Sequence, residues 1–295
     1  MITELNLNLT PMVRKLEFMT KKNLASELSG GYRSAFKGKG LDFDGFREFQ
    51  PMDDSERIDW KASLRSQQLM IKIFKEERNL NIIYLFDVGG SMCFSSTDKL
   101  KIEYAAEMIA SLSFASIQVG DNVGMIMFSD VVKKYILPSQ GPAQFYKITR
   151  ALSEPQNYDG GFDLENAIKF LNSAFHKKNI IFIFSDFIGL KHTWKTRIQA
   201  LGRVSDVIGV MIRDPRDDFM PPDALQTVIK DPFSEKELVI DPKSISKAYS
   251  DYSSKLKEEV KQTFKNNRMD VIELSTNDDY IEAIMSFFIM RNKRL

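Results

Sequence analysis

The sequence predicts an α/β fold: a doubly wound, mostly parallel six-stranded sheet with one antiparallel edge strand, an N-terminal extension and an inserted β-hairpin. Two observations support this prediction. From residue 79 onward, short apolar runs typical of strands alternate with stretches in which apolar residues recur at helical spacing. Only Ser129 and Asp130 separate the second run from the third. Two residues are too few for a crossover, so these two strands must form a hairpin.

Six runs have the composition of buried strands. They cover residues 80–86, 122–128, 131–137, 179–185, 206–212 and 269–274. An earlier short run, 69–74, predicts a strand ahead of the main sheet. Residues 225–240 contain two short β-like runs around "DPFSEK" and predict a second hairpin after the fifth strand.

Helices are predicted where apolar residues form a stripe with a period near 3.6 residues. The stripes cover 9–28, 102–117, 164–175, 194–201, 245–264 and 281–288. Asp163 and Asp241 each precede a stripe as a capping residue, and Pro242 takes a first helical position. We expect Asn277 to begin the last helix.

The 295 residues are expected to divide into an N-terminal extension and one larger domain. The extension covers 1–78 and includes the loop-like stretch "SGGYRSAFKGKG". The α/β domain covers 79–295, with the hairpin insertion at about 213–241.

Composition excludes some classes of partner. The net charge is +1, so we expect no broad basic surface for nucleic acid or an acidic membrane. Cys93 is the single cysteine, which favours a reducing compartment. The start of the chain does not resemble a signal peptide, and no apolar run reaches the roughly 20 residues of a membrane span. We therefore expect a cytoplasmic protein without a membrane span.

Two predicted strands end in aspartate: Asp87 in "LFDVGGSM" and Asp186 in "IFIFSDF". If the chain returns to the other side of the first strand after the hairpin, the fourth strand becomes its neighbour. The two carboxylates would then face each other where strand order reverses, which is where open α/β sheets place their sites. Oxygen donors at such a turn suit a hard cation.

These residues carry a resemblance. Asp87 and Ser91 after the first strand, with Asp186 after the fourth, resemble the metal-ion-dependent adhesion site of von Willebrand factor A domains. The lead stretch "GGYRSAFKGKGLDFDGFREFQPMDDSERIDWKASLR", with "IKIFKEER" before the first strand, resembles the bacterial domain of unknown function 58 family. In that family, such a segment precedes a von Willebrand factor A-like domain. The resemblance runs from about Gly30 to the C terminus.

The resemblance implies a residual metal site with weak Mg²⁺ at most. Its ligands would be Asp87, Ser91 and Asp186, because Gly89 stands where the family-type site has a serine and Phe162 where it has a threonine. It also implies partner binding by Asp87, Ser91, Phe162, Asp163 and Asp186. The alternative is a metal-free turn, in which Asp87 accepts backbone N–H groups near Gly89 and Asp186 caps its own loop.

The motif "RIDWK" likewise allows two interpretations. Arg57 and Asp59 are expected to pair with each other or with Glu76 and Glu77, while Trp60 buries its ring. A ligand site is the alternative.

For function, the resemblance implies an adaptor or partner of a MoxR-type AAA+ ATPase, acting with client proteins in chaperone-like assembly or activation. The enzymatic alternative is a metal-dependent phosphohydrolase that uses Asp87 as nucleophile. Gly89 stands where such enzymes carry a second aspartate, and neither a nucleophile elbow nor a Gly-rich nucleotide loop is present. We therefore expect a protein that is not an enzyme.

Overall fold

The computed structural model describes residues 41–294, except 52, 56–57, 77–79, 176–178, 222–226 and 232–235. The helix predicted at 9–28 lies outside the described residues, as do Arg57 and Glu77 of the predicted ion pairs. Helices and strands follow in this order: β1 (Leu41–Glu48), α1 (Trp60–Ser66), β2 (Met70–Glu76), β3 (Asn81–Asp87), α2 (Lys101–Val119), β4 (Asn122–Phe128), β5 (Val132–Ser139), α3 (Pro142–Ser153), α4 (Leu164–Ala174), β6 (Ile180–Ser185), α5 (Trp194–Val204), β7 (Asp206–Arg213), α6 (Pro215–Asp218), β8 (Thr227–Lys230), β9 (Glu237–Ile240), α7 (Pro242–Asn266), β10 (Asp270–Ser275) and α8 (Tyr280–Asn292).

The main sheet has six strands in the order β10-β7-β6-β3-β4-β5. All neighbours are parallel except β4 and β5, which form the predicted antiparallel hairpin at one edge. The chain builds outward from β3 through β4 to β5 and then returns to the other side of β3 with β6. The predicted fold class is confirmed, and strand order reverses between β3 and β6.

Helices cover both faces of this sheet. On one face, α2, α3 and α8 enclose an apolar cluster; on the other, α4, α5 and α7 enclose a second. Strands β3 and β6 are buried along almost their whole length because they contribute side chains to both clusters. This double cover makes the central strands a rigid base for the loops that follow them.

A separate two-stranded sheet pairs β1 with β2 in antiparallel fashion. Between them, Asp59 caps α1 by accepting from the Ala62 N–H, and its other oxygen lies 2.9 Å from Lys72 Nζ. The structure thus gives Asp59 a lysine partner on β2. The predicted burial of the Trp60 ring was wrong: the residue is 66% exposed at the start of a short helix in which Ser63 is the buried residue.

The second predicted hairpin is present as β8 and β9, which pair in antiparallel fashion. The division of the chain at residue 78 stays a prediction. The last helix begins at Tyr280 rather than near Asn277, because Asp278 closes a turn on the Ser275 N–H and Asp279 then caps the helix. Helix α3 was not predicted.

Candidate functional site

Strand register brings Asp87 and Asp186 to the same edge of the sheet. Strands β3 and β6 are parallel neighbours with Phe86 opposite Phe184, so both aspartates follow at the carboxyl ends. The Ser185 hydroxyl, just before Asp186, donates to Asp87 Oδ2 at 2.7 Å. The structure therefore joins the two strand ends directly, and we call this edge the carboxyl rim.

Asp87 is fully buried, and a neighbour occupies each of its oxygens. Oδ1 accepts from the Gly89 N–H at 2.9 Å, and Oδ2 accepts from Ser185. Burial raises the pKa of Asp87 to about 8, and the nearby charge of Asp186 adds to this; the two hydrogen bonds and the charge of Lys101 oppose it. At neutral pH this carboxyl therefore favours its protonated, uncharged form.

Asp186 is also fully buried, with both oxygens bonded. Oδ1 accepts from the Ile188 N–H at 2.9 Å, which closes the loop after β6. Oδ2 accepts from Lys101 Nζ at 2.7 Å. The backbone carbonyl of Asp186 accepts from the Arg213 guanidinium at 3.0 Å, which ties this loop to the end of β7.

Lys101 is the group at this rim that sequence reasoning missed. It is the first residue of α2, is only 1% exposed, and bonds a second carboxylate, Asp217 Oδ2, also at 2.7 Å. Burial alone would lower the pKa of Lys101, but the charges of Asp186 and Asp217 and the hydrogen bonds to them raise it. The ammonium therefore stays charged inside the protein.

A third buried aspartate, Asp214, bonds the loop after β7 to the loop after β3. Asp214 accepts from the Ser96 N–H at 2.7 Å and from its hydroxyl at 2.6 Å. It also caps α6 through the Arg216 N–H. The charged stretch "RDPRDD" at the end of β7 supplies these contacts, although nothing in its pattern indicates that Asp214 is buried.

The remaining predicted site residues do not complete a set of oxygen ligands for a metal ion. Ser91 is buried, and within the described part of the chain its hydroxyl has no hydrogen-bond partner. Phe162 is 8% exposed and packs on Phe128, with ring centroids 6.0 Å apart. Asp163 caps α4 and pairs with Lys191 at 2.5 Å.

Gly89 cannot be replaced by a ligand-bearing residue without rearrangement. A Cβ added at this position would lie 2.5 Å from the carbonyl oxygen of Gly161 and 3.2 Å from Asp87 Oδ1. The first of these neighbours is backbone, so it cannot rotate away. The sequence departure at Gly89 is thus matched by a steric requirement of the fold.

The residues present do not fit a divalent cation. Mg²⁺ needs several oxygen ligands with free lone pairs. Here, the Asp87 oxygens are hydrogen-bonded, Asp186 Oδ2 is bonded to an ammonium, and the Phe162 ring offers no oxygen. Across residues 41–294, outside the stated gaps, no group of three or more His, Cys, Asp or Glu side chains is arranged to hold a metal ion. The contacts favour the metal-free turn, and weak Mg²⁺ binding stays a prediction.

Four of the five side chains predicted to bind a partner are buried; Asp163 alone of them is partly exposed. A partner would instead meet residues on the surrounding loops. The loops after β3, β4, β6 and β7 all carry exposed residues, and we define the rim surface by one residue from each: Phe94, Val131, Lys191 and Phe219. Phe94 and Phe219 are 45% and 53% exposed, which is high for phenylalanine.

The burial of Asp87 bears on the enzymatic alternative, and the pKa of the single cysteine, Cys93, bears on whether a thiol could act as a nucleophile instead. A buried, doubly bonded Asp87 has no access to a phosphate ester in this structure. Burial also raises the pKa of the Cys93 thiol to about 12, so the thiolate that a nucleophile needs is suppressed.

Comparison with known proteins identifies relatives over most of the chain. The family model described as "Protein of unknown function DUF58" matches residues 45–262. The uncharacterized protein Rv1480 of Mycobacterium tuberculosis is 23% identical over 289 residues, which cover 97% of this chain and 90% of that protein.

Among solved structures, the protein BatB from Bacteroides thetaiotaomicron matches with a TM-score of 0.49 and 15% identity, over 74% of this chain and all of that one. The SpRpn10 VWA domain matches with a TM-score of 0.39 and 7% identity, over 72% of this chain and 94% of that domain. Among the described helices, none is both long and apolar enough to cross a bilayer.

Proposed function

This chain belongs to the protein family of unknown function DUF58, and we propose that it is a non-catalytic protein-binding module that docks a partner on the rim surface. One observation carries the proposal. Exposed Phe94 and Phe219 lie on loops whose bases are held by the ion pairs of buried Lys101 and by hydrogen bonds between the loops. Exposed aromatic residues on a preorganised framework are typical of interaction sites.

The proposed partner is a MoxR-type AAA+ ATPase, with this chain as the adaptor that presents client proteins for assembly or activation. Support for this partner comes from the family resemblance. The site geometry supports the more general proposal of a protein-binding module. The acids at the rim are buried, so a partner would contact the exposed residues on the loops around them. Cytoplasmic location belongs to the same proposal and rests on the single cysteine.

Capture of partners from the native cell tests the proposal. The full chain carries a tag, and recovered proteins are identified by mass spectrometry. The comparison is between the wild type, the rim variant Phe94→Ser/Phe219→Ser, and the control Tyr146→Ser/Val204→Ser. The control removes two exposed apolar side chains, one from α3 and one from the end of α5, where the chain enters β7 at the edge opposite the rim.

We expect an AAA+ ATPase with the wild type and the control, and at least a tenfold loss with the rim variant, which should still unfold in one cooperative transition. Equal recovery with the rim variant would exclude this surface. Absence of any ATPase from the wild-type sample would exclude the partner. Phosphatase turnover by the wild type that is lost in Asp87→Asn would replace the proposal with the enzymatic alternative.

A further inference from the structure

Lys101 is a buried cation held between two acids from different loops. Its ammonium lies 2.7 Å from Asp186 Oδ2 and 2.7 Å from Asp217 Oδ2, and the residue is 1% exposed. The lysine comes from the start of α2, one acid follows β6, and the other lies on α6 after β7. A single side chain therefore joins three segments of the carboxyl rim.

The position of this ammonium matters because Asp186 is one of the acids that the family resemblance assigns to a metal ion. A cation at that point neutralises carboxylates that would otherwise be buried with uncompensated charge, which is strongly unfavourable. In the described contacts Lys101 supplies that positive charge, and the second oxygen of Asp186 is bonded to the Ile188 N–H.

Two further features match a fixed internal cation rather than an exchangeable one. The Gly89 position is closed by the Gly161 carbonyl, so no ligand-bearing side chain fits there. On another side, the ring of Phe94 lies 5.9 Å from Lys101 Nζ, within range of a cation–π contact.

We propose that the Lys101 ammonium takes the place of the divalent cation at this rim, so that the loops around Asp186 and Asp217 are assembled without metal. This inference goes beyond the proposed docking function and does not depend on it. It concerns what holds the rim together, whichever partner binds there.

The experiment compares the response to Mg²⁺ and Mn²⁺ of the wild type, Lys101→Ala and Lys257→Ala. Lys257 is the control because it also bridges two acids, Asp218 on α6 and Glu273 on β10, but its side chain is partly exposed and lies outside the predicted metal site. Melting temperatures are measured with EDTA and with 10 mM of each ion, and bound Mn²⁺ is counted by electron paramagnetic resonance.

We expect no shift for the wild type or Lys257→Ala. Removal of the ammonium leaves two facing carboxylates and a space, so Lys101→Ala should gain about 3 °C or more with the ions and bind one Mn²⁺. A gain no larger than that of Lys257→Ala would overturn the proposal. So would a wild type that binds one Mn²⁺ and loses it in Asp87→Asn.

If Lys101→Ala does not fold, Lys101→Met supplies the test, because it keeps most of the side-chain volume and removes only the charge. It should melt well below the wild type in EDTA, and Mn²⁺ should not restore the difference, because the methionine side chain fills the space that an ion would need. Equal melting of Lys101→Met and the wild type in EDTA would show that the ammonium contributes nothing to assembly.

Discussion

Replacement of Asp87 by asparagine isolates the energetic consequence of burying this carboxyl. Asparagine resembles the protonated acid: its carbonyl can accept from the Gly89 N–H, and its amide can donate to the Ser185 hydroxyl. The variant therefore keeps both contacts at every pH. The wild type keeps its buried carboxyl uncharged only while the proton stays bound.

The sign follows from the raised pKa. Unfolded Asp87 releases its proton near its ordinary value of 3.8, whereas the folded protein holds it to about pH 8. Between these values the folded state binds more protons, so raising the pH lowers the free energy of unfolding by ~1.4 kcal/mol per unit. From pH 5 to pH 8, the wild type should lose up to ~4 kcal/mol relative to Asp87→Asn.

Urea unfolding of both proteins from pH 5 to 9 measures this difference. Other titrating groups are common to both chains, so the difference between them isolates Asp87. The free energy of unfolding of Asp87→Asn relative to the wild type should increase steadily up to about pH 8 and stay constant above it. Asp163→Asn is the control: burial raises the pKa of Asp163, but hydrogen bonds from Lys191 and Asn166 outweigh it and lower the pKa below 3.8. The difference in the free energy of unfolding between Asp163→Asn and the wild type should not change with pH over this range. If the difference for Asp87→Asn also did not change with pH, the reasoning would be refuted.

The other predictions concern the altered positions of the family-type site, and all use urea unfolding. Gly89→Ala should lose about 1–3 kcal/mol because its Cβ meets the Gly161 backbone, whereas Gly161→Ala, with 3.4 Å to its nearest neighbour, should stay close to the wild type; equal stability of the two variants would contradict this account. Phe162→Ala should lose about 3–5 kcal/mol through the cavity left beside Phe128. A loss below 1 kcal/mol would mean that the ring is not part of the core.

The sequence predicted the fold and the position of the rim because both depend on local signals and chain order. Alternation of apolar runs identified the six strands, and the short link at Ser129 and Asp130 required the hairpin. Return of the chain beside β3 was the assumption that placed Asp87 next to Asp186, and the strand order confirms it. Helix α3 was missed although its signal is present: Pro142 stands at its first position, and apolar residues recur at Phe145, Ile148 and Leu152.

The role of Lys101 was not predictable in the same way. Its two partners lie 85 and 116 residues away along the chain, so no local spacing relates them. A lysine at the start of a helix is ordinarily solvated. The available hint was that α2 is apolar on nearly every side, which indicates a helix buried all round. The burial of Phe162 and the exposure of Trp60 also could not be predicted from the spacing of apolar residues in the sequence.

The contacts at the rim also explain how a site short of oxygen ligands can remain ordered. Lys101 links α2 to the loops after β6 and β7, Asp214 links the β7 loop to Ser96, and Arg213 links it to the Asp186 carbonyl. These bonds cross three neighbouring strand ends, and all of them join groups of the protein itself. Phe94 and Phe219 project from the loops so linked, which means that the rim surface is held in one arrangement before a partner arrives. Binding to such a surface loses less conformational entropy than binding to free loops, and this gain requires no ion.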